Sequence, residues 1–412
     1  MQGKPSMHHE LAATVMARCD ELAAISAERH GLTRPAYTPA LRAAHTLVTG
    51  WMRSAGMTVY EDAAGNLVGS YPANRSAART LIIGSHLDTV RDAGRYDGTL
   101  GVLVAIAAIE ALQRQELRMA YGIDVVAFAD EEGLRFGHSF TGSLALTGRL
   151  TPEVLQINDA DGVSLAEALH AFGGDPEMLA QDARRADDLV GYLEIHIEQG
   201  PLLEAQDLPL GVVSAIAGAS HCQLTFSGTA GHAGTVPMEL RHDALAGAAQ
   251  FALAVETIAR TTPDLVATVG ELTPHPGASN VIAGQATLSL DVRHQDDDMR
   301  AQALHELQSR AAAIAQSRGL HLTWEDRQQW ATVRMSPHFR EQLRQAVQAV
   351  GYTPIELPSG AGHDAGILAE FTQAGMLFVR CQGGISHHPS EAVAVEDVAA
   401  ALKVVEQFLM QV

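Results

Sequence analysis

The chain has 412 residues, of which 47% are hydrophobic and 18% are charged, and its formal net charge is −20. Because this length exceeds the size at which a single hydrophobic core usually stops growing, we expect two domains. The negative charge disfavours nucleic acid and anionic membrane surfaces as partners, which leaves small molecules and metal ions.

The cysteines and the apolar segments indicate the compartment. Cys19, Cys222 and Cys381 are far apart and odd in number, which fits a reducing compartment and neither a disulfide framework nor a thiolate zinc site. The opening MQGKPSMHHE lacks the apolar segment of a signal peptide. The longest apolar stretch, residues 101–112, is interrupted by Glu110 and is too short to span a membrane. We therefore expect a cytoplasmic protein that does not bind membranes.

The first part of the chain reads as alternating helices and strands. Apolar residues recur every three or four positions over residues 7–55, which predicts two helices. TLIIGSH then predicts a strand, DGTLGVLVAIAAIEALQRQ a helix and GIDVVAFAD a second strand. Because these strands are too apolar to have one face in water, they predict an α/β domain with a mixed, mostly parallel sheet flanked by helices. Such sheets bind ligands beyond the carboxyl ends of their strands.

A different pattern begins near Val213. Strand, helix, two strands, helix and strand follow in HCQLTFSG, HDALAGAAQFALAVETIARTT, LVATVGEL, ATLSLDVRH, MRAQALHELQSRAAAIAQSRG and LHLTWED. This order predicts a small α+β domain of ferredoxin-like type. After about Gln329, PHFREQLRQAVQAVG and AGMLFVR return to the earlier alternation. We therefore predict that residues 213–329 are inserted into a domain made of residues 1–212 and 330–412.

Imidazole and carboxylate side chains follow several of the predicted strands. His86 and Asp88 lie two apart at a strand end, where strand alternation directs both side chains to the same side, and Asp97 begins the next helix. The other such residues are Glu131 and Glu132 in DEEG, His196 in YLEIHIEQG, and His387 and His388 in GGISHHPSE.

Each of these motifs taken alone is more often a turn, a helix cap or a solvated loop than a site. Two adjacent carboxylates are tolerated when one binds a cation and the other carries a proton. Four strand-end loops that all supply imidazole or carboxylate groups match a two-metal hydrolytic site better than four coincidental loops.

The motifs GSHLDT, YDG, DEEG, HIEQG, GHAGTVPM, SGAGHDA and GISHHPSE occur in this order between about His86 and Glu391. As a set they resemble the M20 metallopeptidase-like amidohydrolases, in the branch of allantoate amidohydrolases, N-carbamoyl-L-amino acid hydrolases and β-ureidopropionases. The resemblance implies two divalent metal ions per subunit, zinc or manganese. It assigns His86 and His196 to one side of the metal pair, Glu132 and His387 to the other, and Asp97 to a bridging position.

The resemblance also implies catalytic roles. Glu131 would be the general acid/base, and Asp88 would orient His86. The inserted domain would be a lid and dimerisation domain, from which His232 would reach the site of the partner subunit in a homodimer.

Substrate contacts are implied in the same way, at Gln199, His221, His232, Asn280, Arg293 and Gly362. Asn280 and Arg293 match positions that bind a substrate carboxylate. By itself Arg293 fits an exposed strand residue or a structural ion pair equally well. His221 departs from the family pattern, since many members have arginine or glutamine shortly before the GHAG motif.

The motifs also suggest the substrate. HIEQG is typical of the carbamoyl- and ureido-hydrolysing branch, since the peptidases generally have an acidic residue at the position of His196. The resemblance thus implies hydrolysis of a C–N bond other than a peptide bond, in a small anionic ureido compound. DTVRDAGRYDG looks like the allantoate amidohydrolase version of its loop, so we expect conversion of allantoate to ureidoglycine, ammonia and carbon dioxide.

Alternative functions stay open at this point. N-carbamoyl-L-amino acids and N-carbamoyl-β-alanine are the alternative substrates, and peptidase or aminoacylase activity is less favoured. A non-catalytic binding module is also less favoured, because a mere binding site has no use for Glu131 beside the ligand Glu132.

Overall fold

The computed structural model describes residues 6–412, which divide into two compact units. One unit comprises the chain up to Ser214 together with Arg334–Val412, and the other comprises Ala215–Val333. The predicted fold class, an α/β domain with an inserted α+β domain, is confirmed. The lid and dimerisation role of the second unit stays a prediction.

The helices and strands alternate along both units. The helices are α1 (Met7–Ala23), α2 (Pro39–Ser54), α3 (Thr99–Arg114), α4 (Thr141–Leu146), α5 (Leu165–Phe172), α6 (Leu179–Asp182), α7 (Leu202–Ala205), α8 (Ala244–Thr261), α9 (Asp297–Ser317), α10 (Pro337–Ala349), α11 (Asp364–Ala369) and α12 (Val395–Gln411). The strands are β1 (Thr58–Glu61), β2 (Leu67–Tyr71), β3 (Thr80–His86), β4 (Gly122–Phe128), β5 (Leu189–Ile197), β6 (Leu210–Ile216), β7 (Gly218–Ser227), β8 (Gly231–His232), β9 (Val266–Thr268), β10 (Leu272–His275), β11 (Val281–Ile282), β12 (Gln285–His294), β13 (His321–Trp330), β14 (Val333–Arg334), β15 (Glu356–Ser359) and β16 (Ala374–Val379).

The first unit contains a nine-stranded sheet in the order β1-β2-β4-β3-β5-β16-β6-β14, with β15 paired to β6. Its central strands β4, β3, β5 and β16 are parallel neighbours, and the pairs β1–β2, β2–β4 and β16–β6 are antiparallel. The central strands are almost wholly buried, which agrees with their continuous apolar sequences. Their carboxyl ends therefore face one edge of a rigid platform.

Helix α3 shows how closely the helices approach this sheet. All its residues from Thr99 to Ile109 are buried, and α1 and β5 both pack against it. A Cβ atom on Gly101 would lie 2.0 Å from the carbonyl oxygen of Ile195 in β5. The absence of a side chain at this position is what allows the close approach.

The second unit has a five-stranded sheet in the order β10-β12-β7-β13, with β9 paired to β12. All of these pairings are antiparallel, and α8 and α9 pack on one face over a core that includes Leu224, Phe226 and Phe251. The predicted ferredoxin-like order of elements is confirmed. The alternation predicted for β7 and β12 is also present, since buried and half-buried residues alternate along both strands.

The three cysteines are free, and all are buried. Within residues 6–412, no helix is sufficiently long and apolar to cross a membrane.

Candidate metal centre and hydrolytic site

The imidazole and carboxylate groups of the first unit converge at the carboxyl edge of the parallel strands. His86 is the last residue of β3, and His196 is the penultimate residue of β5. Glu131 and Glu132 follow β4, Asp97 precedes α3, and His387 lies in the loop after β16. Because the strands are parallel neighbours, residues far apart in the sequence meet at one edge.

Two sets of three ligand atoms share one carboxylate. The atoms of His86, Asp97 and His196 lie within 4.8 Å of one another, and so do those of Asp97, Glu132 and His387. Oδ1 of Asp97 is 3.0 Å from His196 Nε2, whereas its Oδ2 is 3.2 Å from His387 Nε2. Asp97 therefore presents a different oxygen to each set, as a bridging carboxylate does.

The tautomers of the two strand histidines leave Nε2 available as a ligand. His86 Nδ1 lies 3.0 Å from the carbonyl oxygen of Asp88, and His196 Nδ1 lies 2.9 Å from that of Ile197. Since a carbonyl oxygen only accepts, each Nδ1 carries a proton, which leaves Nε2 as the nitrogen that can bind an ion. This is the arrangement in which a histidine binds a metal ion.

A buried carboxylate oxygen without a hydrogen-bond partner also fits an ion at this position. Oε1 of Glu132 is buried and has no hydrogen-bond partner among the described residues, although it lies 3.8 Å from His387 Nε2. A buried carboxylate oxygen without a partner is costly unless a cation or a proton satisfies it. The donor set of imidazole nitrogens and carboxylate oxygens suits zinc or manganese.

Asp88 holds the loop that carries the two glutamates. Its Oδ1 accepts a hydrogen bond from the backbone of Glu131 at 3.2 Å, and its Oδ2 accepts one from Glu132 at 3.1 Å. Oδ1 is also 3.6 Å from His86 Nδ1. The strand ends at His86, so the loop and not strand alternation brings Asp88 to this place.

The electrostatics of the site differ between its carboxylates. Burial raises the pKa of Glu131 well above its usual range, and the neighbouring Glu132 raises it further. Burial also raises the pKa of Glu132, to about 7. At Asp97 burial acts in the same direction, but His196 and His387 outweigh it and hold the pKa well below its usual value. Asp97 is thus an anion between two imidazoles.

Glu131 is within reach of an ion by distance alone. Its Oε2 lies 3.8 Å from His86 Nε2, and the ligand atoms of His86, Glu131 and Glu132 lie within 4.8 Å of one another. The distances therefore do not distinguish a ligand role for Glu131 from a proton-carrying role.

A cavity of about 170 Å³ opens over these groups. Gln199 and Gly362 line it, as do Ser139, Phe140 and His363. Gln199 Nε2 donates to Asp97 Oδ2 at 2.9 Å, so this side chain contacts the Asp97 carboxylate directly. His363 packs its ring 4.5 Å from that of His196.

Sequence reasoning missed two residues that hold Asp97. Ser386 donates to Asp97 Oδ2 at 2.7 Å, and Glu391 accepts from the backbone N–H of Asp97 at 3.1 Å. Both belong to GISHHPSE, so the signal was their position one residue before and four residues after His387. Phe140, which lines the cavity, lies in none of the motifs that indicated the site.

The second unit brings its candidate residues together in two groups. His232 lies in β8, which pairs with β11 immediately after Asn280, and the Asn280 carbonyl accepts from the N–H of Ala233 at 2.9 Å. Arg293 and His221 lie on adjacent strands on the sheet face opposite the helices. Both contact Asp291, Arg293 through two nitrogens at 2.9 and 2.7 Å and His221 Nε2 at 2.9 Å.

Comparisons with known proteins agree with this geometry. The sequence matches Peptidase family M20/M25/M40 over residues 82–411. It is 42% identical over 381 residues to the N-carbamoyl-L-amino acid amidohydrolase of Geobacillus stearothermophilus, a match that covers 92% of this chain and 93% of that protein. It is 40% identical over 427 residues to the allantoate deiminase of Arabidopsis thaliana, with 96% of this chain and 81% of that protein covered.

The fold agrees as well. The crystal structure of an amidase of the hydantoinase/carbamoylase family from Burkholderia multivorans superimposes with a TM-score of 0.91 at 33% identity, over 97% of both chains. The resemblance inferred from the motifs is thereby confirmed, including the branch of carbamoyl and allantoate hydrolases. The chain belongs to Peptidase family M20/M25/M40.

Proposed function

We propose that this protein is an allantoate amidohydrolase that depends on two divalent metal ions, zinc or manganese. The predicted class, a metal-dependent hydrolase of C–N bonds other than peptide bonds, is confirmed by the family and the relatives. His86, Asp97 and His196 would hold one ion, and Asp97, Glu132 and His387 the other. The observation that carries the proposal is the position of Asp97, whose two oxygens face the two sets of ligands.

Glu131 is proposed as the proton carrier. When bound, the ions would polarise the ureido carbonyl and favour ionisation of the attacking water. Glu131 takes a proton from that water as its oxygen bonds to the ureido carbon, which gives a tetrahedral intermediate. The C–N bond of this intermediate then breaks, and Glu131 returns the proton to the leaving nitrogen, which departs as ammonia. The carbamate that is left loses carbon dioxide, which yields the amine of ureidoglycine. His232 stabilises the oxyanion of the tetrahedral intermediate.

Asp88 and the cavity residues support this chemistry. Asp88 fixes the backbone of Glu131 and Glu132, so the two carboxylates keep separate positions. Gln199 and Gly362 line the cavity and are proposed as substrate contacts there. His221, Asn280 and Arg293 are proposed as contacts from the second unit, with the arginine binding the carboxylate of allantoate.

The choice of allantoate rests on the loop DTVRDAGRYDG, which carries Asp97. Overall similarity does not separate the substrates, because the carbamoyl-hydrolysing and allantoate-hydrolysing relatives are 42% and 40% identical to this chain. Hydrolysis of N-carbamoyl-L-amino acids or N-carbamoyl-β-alanine is therefore the second candidate function, and it uses the same metal chemistry.

We further propose a homodimer in the cytoplasm, with the second unit as lid and dimerisation domain. Its described surface exposes several large apolar side chains, Met238 at 73%, Leu240 at 66% and Leu253 at 66%. Exposed apolar side chains can contribute to a protein–protein interface, and a second copy of this chain is the simplest partner.

The decisive experiment compares the wild type with Glu131→Gln. We expect ammonia release by the manganese- or zinc-loaded wild type to be fastest with allantoate, when kcat/KM is compared with N-carbamoyl-L-amino acids and N-carbamoyl-β-alanine. Glu131→Gln should keep its metal content and lose turnover by about 10²-fold or more, because it removes only the proton carrier. Substantial residual activity of the variant would contradict the role of Glu131, and a preference for a carbamoyl substrate would contradict the choice of allantoate.

A further inference from the structure

Glu391 is a buried carboxylate that takes no part in the proposed hydrolysis. Its side chain is 4% exposed, and it lies four residues after His387. Oε1 accepts hydrogen bonds from the backbone N–H groups of Tyr96 at 2.7 Å and Asp97 at 3.1 Å. Oε2 lies 3.2 Å from the hydroxyl oxygen of Ser386.

These contacts join two loops that are distant in the sequence. One loop carries Asp97, and the other carries Ser386 and His387. Ser386 completes the connection, since its hydroxyl donates to Asp97 Oδ2 at 2.7 Å. A single carboxylate thereby accepts from the backbone of Asp97 and lies beside Ser386, the neighbour of His387.

The ligands in these loops need such support more than the others do. His86 and His196 are parts of the strands β3 and β5, whose ladders fix their backbones. Asp97 and His387 lie outside any helix or strand, and His387 has a φ of 55°, in the left-handed region. Side-chain hydrogen bonds are therefore a larger part of what holds them.

Gly94 packs directly against the side chain of Glu391. A Cβ atom on Gly94 would lie 2.3 Å from the carboxyl carbon of Glu391 and 2.4 Å from its Cβ. Only a residue without a side chain leaves room for Glu391 at this position. The loop sequence and the carboxylate are thus matched to each other.

We propose that Glu391 is a positioning residue that sets the separation of Asp97 and His387, and with it the affinity for the ion held by Asp97, Glu132 and His387. This inference rests on the proposed two-ion site. Loss of Glu391 releases the backbone of Asp97 and the turn at Ser386, so the 3.2 Å separation of Asp97 and His387 is no longer held. Groups that orient metal ligands in this way typically change metal affinity by about 10- to 100-fold when removed.

The test measures binding of Mn²⁺ to the metal-free full chain by electron paramagnetic resonance of the free ion. We expect two Mn²⁺ per chain in the wild type. In Glu391→Ala the affinity for one ion should fall by about 10- to 100-fold. Glu391→Gln keeps an acceptor for the two backbone N–H groups and should lie between the wild type and the alanine variant. Gly94→Ala should lower the affinity for the same ion, because the added methyl group displaces a Glu391 side chain that is itself unchanged.

Asp62→Asn is the matched control. Asp62 also fixes a loop of the first unit, since it accepts from the backbone N–H groups of Ala64 at 3.0 Å and Asn66 at 2.9 Å. The Asp62→Asn variant should have lower thermal stability, and its affinities for both Mn²⁺ ions should equal those of the wild type. If Glu391→Ala and Gly94→Ala fold and bind both Mn²⁺ ions with wild-type affinity, the inference about Glu391 is wrong, and the proposed two-ion site is unaffected. A wild type that binds no Mn²⁺ would overturn the proposed two-ion site itself.

Discussion

At the scale of the residue, the surroundings of an ionisable group decide what it does. Asp97 and Glu131 are both buried carboxylates at one edge of the sheet, yet their pKa values move in opposite directions. At Asp97 the imidazoles of His196 and His387 outweigh burial, whereas at Glu131 burial outweighs the imidazole of His86. The same reasoning applies away from the site, where Glu61 at the end of β1 is the clearest case.

Glu61 should stabilise the fold in a pH-dependent way. Burial opposes its ionisation, but hydrogen bonds from His45 at 2.9 Å and from Arg42 prevail and lower its pKa to about 2. Because the folded pKa lies below the ordinary value of 4.5, the stabilisation is present above pH 4.5 and is lost as the pH falls towards 2. We expect Glu61→Gln to lower the free energy of unfolding at pH 7 by about 1–2 kcal/mol, allowing for partial exposure.

Urea unfolding of wild type and Glu61→Gln at pH 7 and pH 3 measures this effect. The difference between the two proteins should shrink at pH 3, because the wild-type advantage is then partly lost. An equal difference at both pH values would show that the ionised form of Glu61 contributes nothing.

At the scale of the element, the contact between α3 and β5 joins packing to the site. Gly101 lies against the carbonyl oxygen of Ile195, the residue immediately before His196. A side chain at position 101 cannot be accommodated by rotation of another side chain, since the obstacle is backbone. Any shift of β5 that relieves the clash also moves His196.

We expect Gly101→Ala to destabilise the protein by about 1–3 kcal/mol, the usual cost of overpacking a core. Gly50→Ala is the control, since Gly50 lies inside α2 and a Cβ there would meet no atom within 4 Å. That change should be stabilising by about 0.5–1 kcal/mol, because alanine favours the helix. Urea unfolding measures both, and equal stability of the two variants would contradict the close approach of α3 to β5.

At the scale of the whole molecule, the candidate residues are divided between the two units. The proposed metal ligands and Glu131 belong to the first unit, whereas His232, Asn280 and Arg293 belong to the second. In the proposed homodimer, His232 of one subunit serves the site of the other. Catalysis would then require two chains although metal binding requires one.

Subunit mixing tests this division of labour. Glu131→Gln and His232→Ala should each be inactive as pure homodimers. After exchange, a mixed dimer has one site with both defects and one with neither, so about a quarter of wild-type activity should return at random pairing. Exchange of subunits, verified by mass, without any recovery of activity would mean that His232 acts within its own chain.

The sequence predicted much of this fold, for identifiable reasons. β3, β12 and the ferredoxin-like order were predictable because long apolar runs and strict alternation are strong signals. β1, β2, β6, β14 and β15 were not predicted, because they are short or lie towards the edges of the sheet, where the pattern is weak.

The candidate site shows the same limit. The proposed ligands could be selected from the sequence because His, Asp and Glu stand in recognisable motifs. Glu391 was not, because it acts by accepting from the backbone of Tyr96 and Asp97, and backbone donors leave no trace in the residue types of a sequence.

The spacing of the ligands along the chain also sets an order of events during synthesis on the ribosome. His86, Asp97 and His196 have all been made by residue 196, so the first ligand set is complete in sequence while much of the chain is still to come. The second set waits for His387, and the whole of Ala215–Val333 is synthesised in the interval. In the proposed two-ion site, a nascent chain therefore has the ligands of the first ion before the inserted unit has emerged, and it gains those of the second ion afterwards.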